Sequence, residues 1–579
     1  MDQTTIDTIP KLFLETADKF PDRPAIYYKK GHLFDEIPYK RLKNLVGNFT
    51  LSLEKMGVKK GDPVILISEN RPEWVVLDLA IQFAGAINVP IHNILTSIQI
   101  KQIVDEIEPA LIVVSNREAL KKVLEIEWVL DKKIPIIFLD DSLTGEQDLI
   151  KKFNGQHFVG TLKLSGHYHT GDELERRLKN INSSDVASII YTSGTTGHPK
   201  GVELTQTNFI SNIYAVLEAV KLYPEDKLLS ILPLSHVFER TAGYYVPLAA
   251  GASITYIEDI SKLSEYAKEE KPTVILAVPR LYEKIYEKVW ANASKSPVKK
   301  MILKFALDYG KDKKHRSTVL YKLLDRIVFS KIKENFGGNI RFFVSGGASL
   351  ASWLGDFFDS MGMPVLEGYG LTETSPVVTC NRYENYKYGT IGPALTDVQV
   401  KISGDGEILV KGPNVMKSYY KNEEASKGAF TKDGWFKTGD LGNVDKDGFF
   451  KIAGRKKEII VLTTGKKIFP VPIEEALESS VYLDQAFMFG DGFKHIGAVI
   501  VPSEIAIEKF GENIEERLAG EINEQLKHFS KIEQIKKFII STESFTVENG
   551  LLTPTMKLRR GVILEKYADK IEDLYSVRM

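Results

Sequence analysis

The sequence contains almost no cysteine and no long uninterrupted apolar run. Its one cysteine, Cys380, cannot form an internal disulfide, so the chain fits a reducing compartment and we expect a cytoplasmic protein. Cys380 is expected to be an inert small side chain. The N-terminal stretch lacks the apolar core of a signal peptide. No run approaches the roughly 20 apolar residues of a membrane span, since the most apolar stretch, 75–91, is interrupted by Asp78 and Gln82.

An excess of either charge is also missing. The chain has 76 lysines and arginines against 77 acidic residues, a net charge of −1, which gives no electrostatic case for nucleic acid as a partner. Internal repeats and low-complexity segments are absent from the sequence as well. With 579 residues the chain is too long for a single hydrophobic core, so we expect several structural units.

Short apolar runs alternate with helical patterns over the first two thirds of the chain. Buried strands are predicted at PVILIS, ALIVVS, IPIIFLD, VASIIYT, TVILAVP and IRFFVSG, and a helix at EWVVLDLAIQFAGA. This alternation predicts an α/β fold with layered, largely parallel sheets. From about Gly389 short alternating strands indicate a small β-subdomain. We expect a large N-terminal domain, 1–455, and a small mobile α+β C-terminal domain, 456–579.

The most informative stretch is YTSGTTGHPKGV, residues 191–202, directly after the predicted strand VASIIYT. Its glycines let backbone N–H groups point at one place, its hydroxyls add donors, and Lys200 adds a positive charge, which is the chemistry of a polyphosphate cradle. The stretch is not a Walker P-loop, because Gly201 and not Ser or Thr follows Lys200. By composition alone, a flexible surface turn is an open alternative.

This string resembles the phosphate loop of the acyl-adenylate-forming superfamily, which includes acyl-CoA synthetases, peptide-synthetase adenylation domains and beetle luciferases. The resemblance implies that the loop residues and Lys200 hold the phosphates of ATP, with Thr192 also near Mg²⁺. The loop residues concerned are Thr192, Ser193, Gly194, Thr195, Thr196 and Gly197.

Further stretches resemble the other superfamily motifs and follow in the same order. EGYGLTET resembles the adenine motif, which implies that Tyr369 stacks on adenine, Thr372 contacts phosphate and Glu373 binds Mg²⁺. The rest of that segment is expected at the nucleotide too: Glu367, Gly368 and Gly370. SGGASL resembles the segment lining the adenine and acyl pockets, with Gly346, Gly347 and Ala348.

The C-terminal motifs complete the resemblance. GWFKTGD implies that Asp440 binds the ribose hydroxyls, and GRKKE resembles the interdomain hinge, with Arg455 at the nucleotide and Lys457 at the hinge. TTGKKIFPVPIEEAL resembles the segment near the thiol channel, where Gly465 and Glu474 are the matching positions. LLTPTMKLRR resembles the final motif, whose lysine, here Lys557, bridges the carboxylate and the α-phosphate.

The stretch LPLSHVFERTAGYYVPLAAG resembles the acyl-pocket segment of long-chain members. His236 matches the position near the acyl carboxylate, and Arg240 stands where some members have a gate tryptophan. The expected substrate tunnel therefore involves His236, Arg240 and Gly346. Three roles for Arg240 are open: closing the tunnel by pairing, facing an anionic membrane surface, or forming a structural ion pair.

The resemblance as a whole implies an AMP-forming long-chain fatty acid–CoA ligase that uses ATP, Mg²⁺ and coenzyme A. The catalytic candidates are Lys557, Lys200, Thr372, Glu373 and His236. Alternatives are a ligase for aryl or medium-chain acids, a peptide-synthetase module, a luciferase, a P-loop phosphotransferase and a non-catalytic nucleotide- or lipid-binding protein. Peripheral contact with the inner face of a membrane and a homodimer are left open.

Overall fold

The structure is a computed structural model, and it describes residues 6–31, 33–139, 156–157, 171–192, 199–257, 260–553 and 557–576. Two eight-stranded sheets dominate it, and helices separate their strands along the chain. This arrangement confirms the predicted α/β class. None of the helices in these residues combines the length and the apolar character needed to cross a bilayer.

The first large sheet has the order β15-β14-β13-β12-β10-β11-β1-β2. Its central neighbours are parallel, and antiparallel pairs close both edges. Its strands are β1 Pro24–Lys30, β2 Leu33–Pro38, β10 Lys227–Ser230, β11 Ser253–Tyr256, β12 Val274–Ala277, β13 Phe342–Ser345, β14 Val365–Gly370 and β15 Val377–Cys380.

The second large sheet has the order β18-β9-β8-β4-β3-β5-β6-β7. It is parallel from β8 to β7 and antiparallel where β9 and β18 are added. Its strands are β3 Pro63–Ile67, β4 Ile87–Ile91, β5 Leu111–Val114, β6 Ile136–Phe138, β7 Gln156–His157, β8 Val186–Thr192, β9 Lys200–Thr205 and β18 Ser418–Tyr419.

Three smaller sheets follow along the chain. A four-stranded antiparallel sheet contains β16 Gln399–Ile402, β17 Glu407–Lys411, β19 Phe436–Val444 and β20 Phe450–Arg455. The C-terminal part has β21 Ile460–Val461 with β22 Lys467–Ile468, and a three-stranded sheet of β23 Leu483–Phe489, β24 Gly497–Pro502 and β25 Lys537–Ile540. Two hydrophobic clusters, drawn only from residues 460–571, form the core of this part.

The helices of the N-terminal part pack on both large sheets. They are α1 Ile9–Lys19, α2 Tyr39–Lys55, α3 Pro72–Phe83, α4 Ser97–Ile107, α5 Arg117–Leu124, α6 Glu127–Asp131, α7 Gly171–Leu178, α8 Gln206–Val220, α9 Val246–Ala250, α10 Leu263–Glu270, α11 Pro279–Ser294, α12 Pro297–Gly310, α13 Val319–Leu324, α14 Ser330–Lys333, α15 Ser352–Ser360 and α16 Glu423–Ala429. The C-terminal part contributes α17 Pro470–Glu478, α18 Glu504–Phe510, α19 Ile514–Gln525, α20 Arg560–Lys566 and α21 Ala568–Ser576.

The N- and C-terminal parts meet through a group of charged side chains. Arg280 of α11 donates to the carboxylate of Asp484 in β23 and, at 3.1 Å, to Glu283. Burial and the neighbouring Glu283 raise the pKa of Glu478 well above its ordinary value. Burial also raises the pKa of Glu475 to about 7, although a hydrogen bond with Ser349 opposes the shift. Acidic groups therefore crowd around one arginine at this contact.

Candidate functional site

The predicted phosphate loop connects β8 to β9 in a hairpin. Thr192 and Lys200 are register partners at its base, and the Thr192 hydroxyl donates to the Lys200 carbonyl at 3.5 Å. Gly201 is required there, because an added Cβ would lie 2.9 Å from Cγ2 of Ile189. The loop residues predicted at the phosphates lie outside the described residues: Ser193, Gly194, Thr195, Thr196 and Gly197.

Lys200 is brought near Glu373 through Tyr419. Strand β18 pairs with β9, which places the Tyr419 ring 5.1 Å from the Lys200 ammonium. The Tyr419 hydroxyl donates to Oε1 of Glu373 at 2.8 Å. Glu373 lies with Thr372 in a single 3₁₀ turn, Thr372–Thr374, directly after β14. Carboxylate and hydroxyl oxygens are suitable ligands for Mg²⁺, so the chemistry of Glu373 and Thr192 fits this ion.

The segment EGYG forms the end of β14. Its Glu367 is buried and accepts a hydrogen bond from the Leu350 amide at 2.9 Å. Burial raises the pKa of Glu367 to about 8, so this carboxyl is mostly protonated at neutral pH. Gly370 allows a close backbone approach, because an added Cβ would be 1.8 Å from the Pro376 carbonyl oxygen. Gly368 has ordinary space around it.

The loop after β13 packs against the segment that carries His236. A Cβ on Gly346 would lie 2.8 Å from the Phe238 ring, so glycine is needed for this contact. Gly347 has a φ of +85°, a conformation that favours glycine. Ala348 continues this loop toward the start of α15. The two predicted acyl-pocket segments are thus in direct contact.

Asp440 is the centre of a hydrogen-bonded group. The Tyr369 hydroxyl donates to its Oδ2 at 2.7 Å, and Nε of Arg455 donates to its Oδ1 at 2.7 Å. Strands β19 and β20 pair Asp440 with Arg455 in register, which explains why the two meet. The carboxylate is almost completely buried. This group holds the Tyr369 ring in a fixed position beside the expected ribose site.

Lys557 lies in a short hairpin near the C-terminus. Its amide donates to Oγ1 of Thr553 at 3.0 Å, and Leu552 bridges to Leu558 across the hairpin. Part of the residue is accessible to water, and its ammonium interacts electrostatically with Arg455 and Asp440 of the N-terminal part. Loss of solvation there lowers the pKa of Lys557, and nearby Arg455 lowers it further.

The surroundings of the Lys557 ammonium link the site together. Asp440, Glu458 and Glu373 stabilise its charge and oppose the lowering of its pKa. The ammonium also interacts with His236, whose pKa is lowered to about 4 by burial, by Lys557 and by His92. His236 is therefore neutral at physiological pH. The structure brings Lys557 to the residues predicted around the nucleotide and the acid.

Arg240 is fully buried. Its guanidinium forms an ion pair with Asp78 at 2.5 Å and donates to the Ser188 hydroxyl at 2.6 Å and the Tyr245 hydroxyl at 3.2 Å. The open alternative in which Arg240 faces a membrane surface is therefore wrong, because the side chain has no exposed area. The structure contains a buried ion pair between Arg240 and Asp78, which corresponds to the third alternative. A role in closing the acyl tunnel stays a prediction.

Three further predicted positions have different surroundings. Lys457 lies in the 3₁₀ turn Lys456–Glu458 directly after β20. Gly465, with a φ of +76°, forms the turn between β21 and β22, and its described contacts do not include the residues around Asp440. Cys380 is buried, and burial raises the pKa of its thiol to about 12, as expected for an inert side chain.

Two residues of the site were not predicted from the sequence, Arg560 and Tyr419. Arg560, three positions after Lys557, donates to both carboxylate oxygens of Glu474, at 2.9 and 2.5 Å, and to Glu458 at 3.2 Å. Glu474 thus contacts Arg560 and the Met488 amide. Arg560 is the last residue of LLTPTMKLRR, but nothing in the sequence marks its partner Glu474, 86 residues away. Tyr419 carried no sequence signal, because only the β18–β9 pairing places it beside Lys200.

Comparison with known proteins agrees with this geometry. The family model described as "AMP-binding enzyme" matches residues 13–420, and the model "AMP-binding enzyme C-terminal domain" matches residues 457–578. The long-chain fatty acid–CoA ligase FadD15 of Mycobacterium bovis is 35% identical over 98% of this chain and 97% of its own length. Human long-chain fatty acid–CoA ligase 1 is 31% identical over 96% of this chain and 83% of its own.

The fold also matches solved structures. The adenylation domain of a carboxylate reductase from Mycobacterium chelonae superposes with a TM-score of 0.81, covering 99% of this chain and 92% of that one. Its sequence identity is 22%, so this likeness concerns the fold. The match spans both the large N-terminal region and the small C-terminal region.

Proposed function

The chain belongs to the AMP-binding enzyme family, and from that premise we propose that it is an AMP-forming long-chain fatty acid–CoA ligase. In the first half-reaction a fatty acid and ATP give an acyl-adenylate and pyrophosphate. In the second, the thiol of coenzyme A attacks the acyl-adenylate and releases AMP. The relatives named above act on long-chain fatty acids and CoA, which supports this acid and this acceptor over aryl or medium-chain acids.

The single observation that carries the proposal is the position of Lys557. Its ammonium interacts electrostatically with Asp440, Glu373 and His236, which come from three separate segments. A protein that only bound a nucleotide would not need a cation between the expected ribose, metal and acyl sites. This placement suits the step in which the fatty carboxylate attacks the α-phosphorus.

In this proposal, the protein contributes positioning and charge neutralisation. Asp440 accepts hydrogen bonds from the ribose hydroxyls, and the Tyr369 ring stacks on adenine. Lys200 and the loop after β8 hold the β- and γ-phosphates. Mg²⁺, held by Glu373 and Thr192 with the phosphates, would neutralise the leaving pyrophosphate.

Lys557 stabilises the negative charge that develops between the attacking carboxylate and the α-phosphate. Neutral His236 closes the acyl end of the site without adding a second positive charge. The proposed domains are 1–455 and 456–579, with the hinge at Lys457. Rotation about that hinge would withdraw Lys557 and bring the Gly465 turn to the site for the thiol step.

The decisive experiment separates the two half-reactions. Replacement of Lys557 by alanine is expected to reduce fatty-acid-dependent ATP–pyrophosphate exchange by at least about a hundredfold, as is typical for loss of one oxyanion-stabilising group. The same variant should convert preformed acyl-adenylate and CoA into thioester at close to the wild-type rate. The exchange assay across acids of increasing chain length tests the acid.

Two outcomes would contradict the proposal. Absence of exchange with every acid tested would remove adenylation, and an equal loss of both half-reactions in Lys557→Ala would remove the two-conformation mechanism. Lys566→Ala, an exposed lysine in α20, is the matched control and should leave both half-reactions unchanged.

A further inference from the structure

Helix α12 presents apolar side chains on the face that points away from the protein. Its inner side is packed: Leu303, Ala306, Leu307 and Gly310 are buried, and a Cβ on Gly310 would lie 2.2 Å from the Ser360 carbonyl. Several outward positions are apolar as well. Val298, Met301, Ile302 and Phe305 are 59%, 66%, 39% and 52% exposed. A soluble surface helix normally carries polar residues on that face.

A second short helix extends the same surface. After a turn that contains Thr318, α13 and the π-helical turn Asp325–Phe329 expose Val319, Leu320, Leu323 and Ile327. The Tyr309 ring stacks on His315 and its hydroxyl bonds to Thr318, which joins the two helices. Of the 18 large apolar side chains exposed in the described part of the chain, 8 lie between 298 and 327. Single exposed apolar residues are normal, but this concentration is the mark of a docking surface.

The same stretch is strongly basic. Residues 295–333 contain 12 lysines and arginines against 3 acidic residues, a net charge of +9 in a chain whose total is −1. Lys299, Lys300 and Lys304 lie on α12 between the exposed apolar positions and are exposed. Within the described residues no carboxylate lies within 4.0 Å of these three ammonium groups. These three lysines therefore keep their charge for an outside partner, whereas other basic residues of the stretch form ion pairs with aspartates, namely Lys311, Lys313, Arg316 and Lys333.

We propose that α12 and α13, together with their lysines, form a monotopic docking surface for an anionic lipid bilayer. The exposed apolar side chains would enter the interface while the flanking lysines contact the lipid headgroups. Each lysine near a negatively charged leaflet strengthens binding. Burial of the apolar side chains in the interface adds stabilisation that charge alone does not supply. The inference rests on the proposed function in one respect: the bilayer is where a long-chain fatty acid accumulates.

A second copy of the chain and a nucleic acid both fit this surface less well than an anionic bilayer. A symmetric contact between two copies would place the same patch on itself and bring Lys299, Lys300 and Lys304 close to the same three lysines of the other copy. A nucleic acid would match the charge but would leave Met301 and Phe305 unexplained, because phosphate contacts do not require exposed apolar side chains. An anionic bilayer satisfies both features.

The test is co-sedimentation of the full chain with phosphatidylcholine vesicles that contain or lack phosphatidylglycerol. The wild type is expected to bind the anionic vesicles and to release as salt is raised. Lys299→Gln/Lys300→Gln/Lys304→Gln should weaken partitioning by about a hundredfold. Met301→Ser/Phe305→Ser should weaken it by at least about tenfold. The matched control, Ile505→Ser/Ile507→Ser, changes exposed apolar residues of α18 and should bind like the wild type.

A second measurement detects insertion directly. Met301→Cys labelled with an environment-sensitive dye should shift to shorter emission wavelength on anionic vesicles, and buried Cys380 should stay unlabelled. Equal binding to neutral and anionic vesicles, no dye shift, or an equal loss in the α18 control would overturn the proposal. Binding of the wild type to RNA in preference to vesicles would also overturn it. Pyrophosphate exchange with detergent-solubilised acid should be unchanged in every variant, which separates failure of docking from failure of the proposed reaction.

Discussion

Tyr369 and Asp440 show how one hydrogen bond orders two binding groups. Tyr369→Phe removes the donor that bonds Asp440 at 2.7 Å and keeps the ring. Because a hydrogen bond to a charged group contributes about 1.5–3 kcal/mol, KM for ATP should rise roughly ten- to a hundredfold while the fatty acid KM changes little. Tyr386→Phe removes a similar bond, to Asp359 at 2.8 Å, and should leave both constants unchanged. Steady-state kinetics with each substrate varied provide the measurement.

Arg240 and Asp78 form the ion pair that sequence reasoning could not assign. They are 162 residues apart, and neither side chain has any exposed area. Arg240→Met leaves an uncompensated buried carboxylate, so we expect a loss of about 3–5 kcal/mol in the free energy of unfolding. Urea titration followed by circular dichroism measures it. Lys427→Met breaks an exposed pair with Glu423 and should cost less than about 1 kcal/mol. Similar losses in both variants would contradict the assigned role.

Many strands could be predicted from the sequence, whereas the roles of the motif residues stay predictions. The apolar run VASIIYT is β8, Val186–Thr192, and TVILAVP contains β12, Val274–Ala277, because buried strands need continuous apolar residues. The strand predicted at IPIIFLD is shorter, Ile136–Phe138. The π-helical turn Glu239–Tyr245 was not predicted, since its conformation follows from packing around Arg240 and not from a local pattern.

The hairpin that carries Lys557 depends on a contact within the C-terminal part. Arg560 holds it against α17 through Glu474 and against the hinge turn through Glu458. We expect Arg560→Gln to lower kcat of adenylation about tenfold or more, with little change in KM, because the lysine is then misplaced and not removed. Adjacent Arg559→Gln, whose guanidinium bonds only to the Gly550 carbonyl among its described contacts, is the control. If Arg559→Gln were as damaging as Arg560→Gln, general loss of the hairpin would explain both.

Across the whole molecule, the contact between the two parts contains carboxyl groups with raised pKa values. Glu475 is bonded to Ser349 and faces Glu474, Lys451 and Glu283, while Glu478 faces Glu283, Glu474 and Arg280 and accepts from the Ala486 amide. A carboxyl group whose pKa is raised while the two parts are in contact holds a proton, and it releases this proton when the parts separate. The arrangement with Lys557 in the site is therefore favoured at low pH and weakened as pH rises through about 7, the value for Glu475.

We predict that adenylation loses this support over the pH range in which Glu475 and Glu478 ionise. Glu475→Gln/Glu478→Gln replaces both groups with neutral amides of the same shape. The exchange rate of this variant relative to the wild type should therefore rise as the pH increases from 5 through 7, by at most about tenfold per pH unit for each proton released. Lys557 is present in both proteins, so its titration cancels when the ratio is taken at each pH. Titration of the CoA thiol does not contribute either, because pyrophosphate exchange does not involve CoA. The exposed Glu504→Gln should give a flat ratio. A flat ratio for the double variant would show that these carboxyls do not influence the position of the C-terminal part, and the contact at Arg280 would then be packing alone.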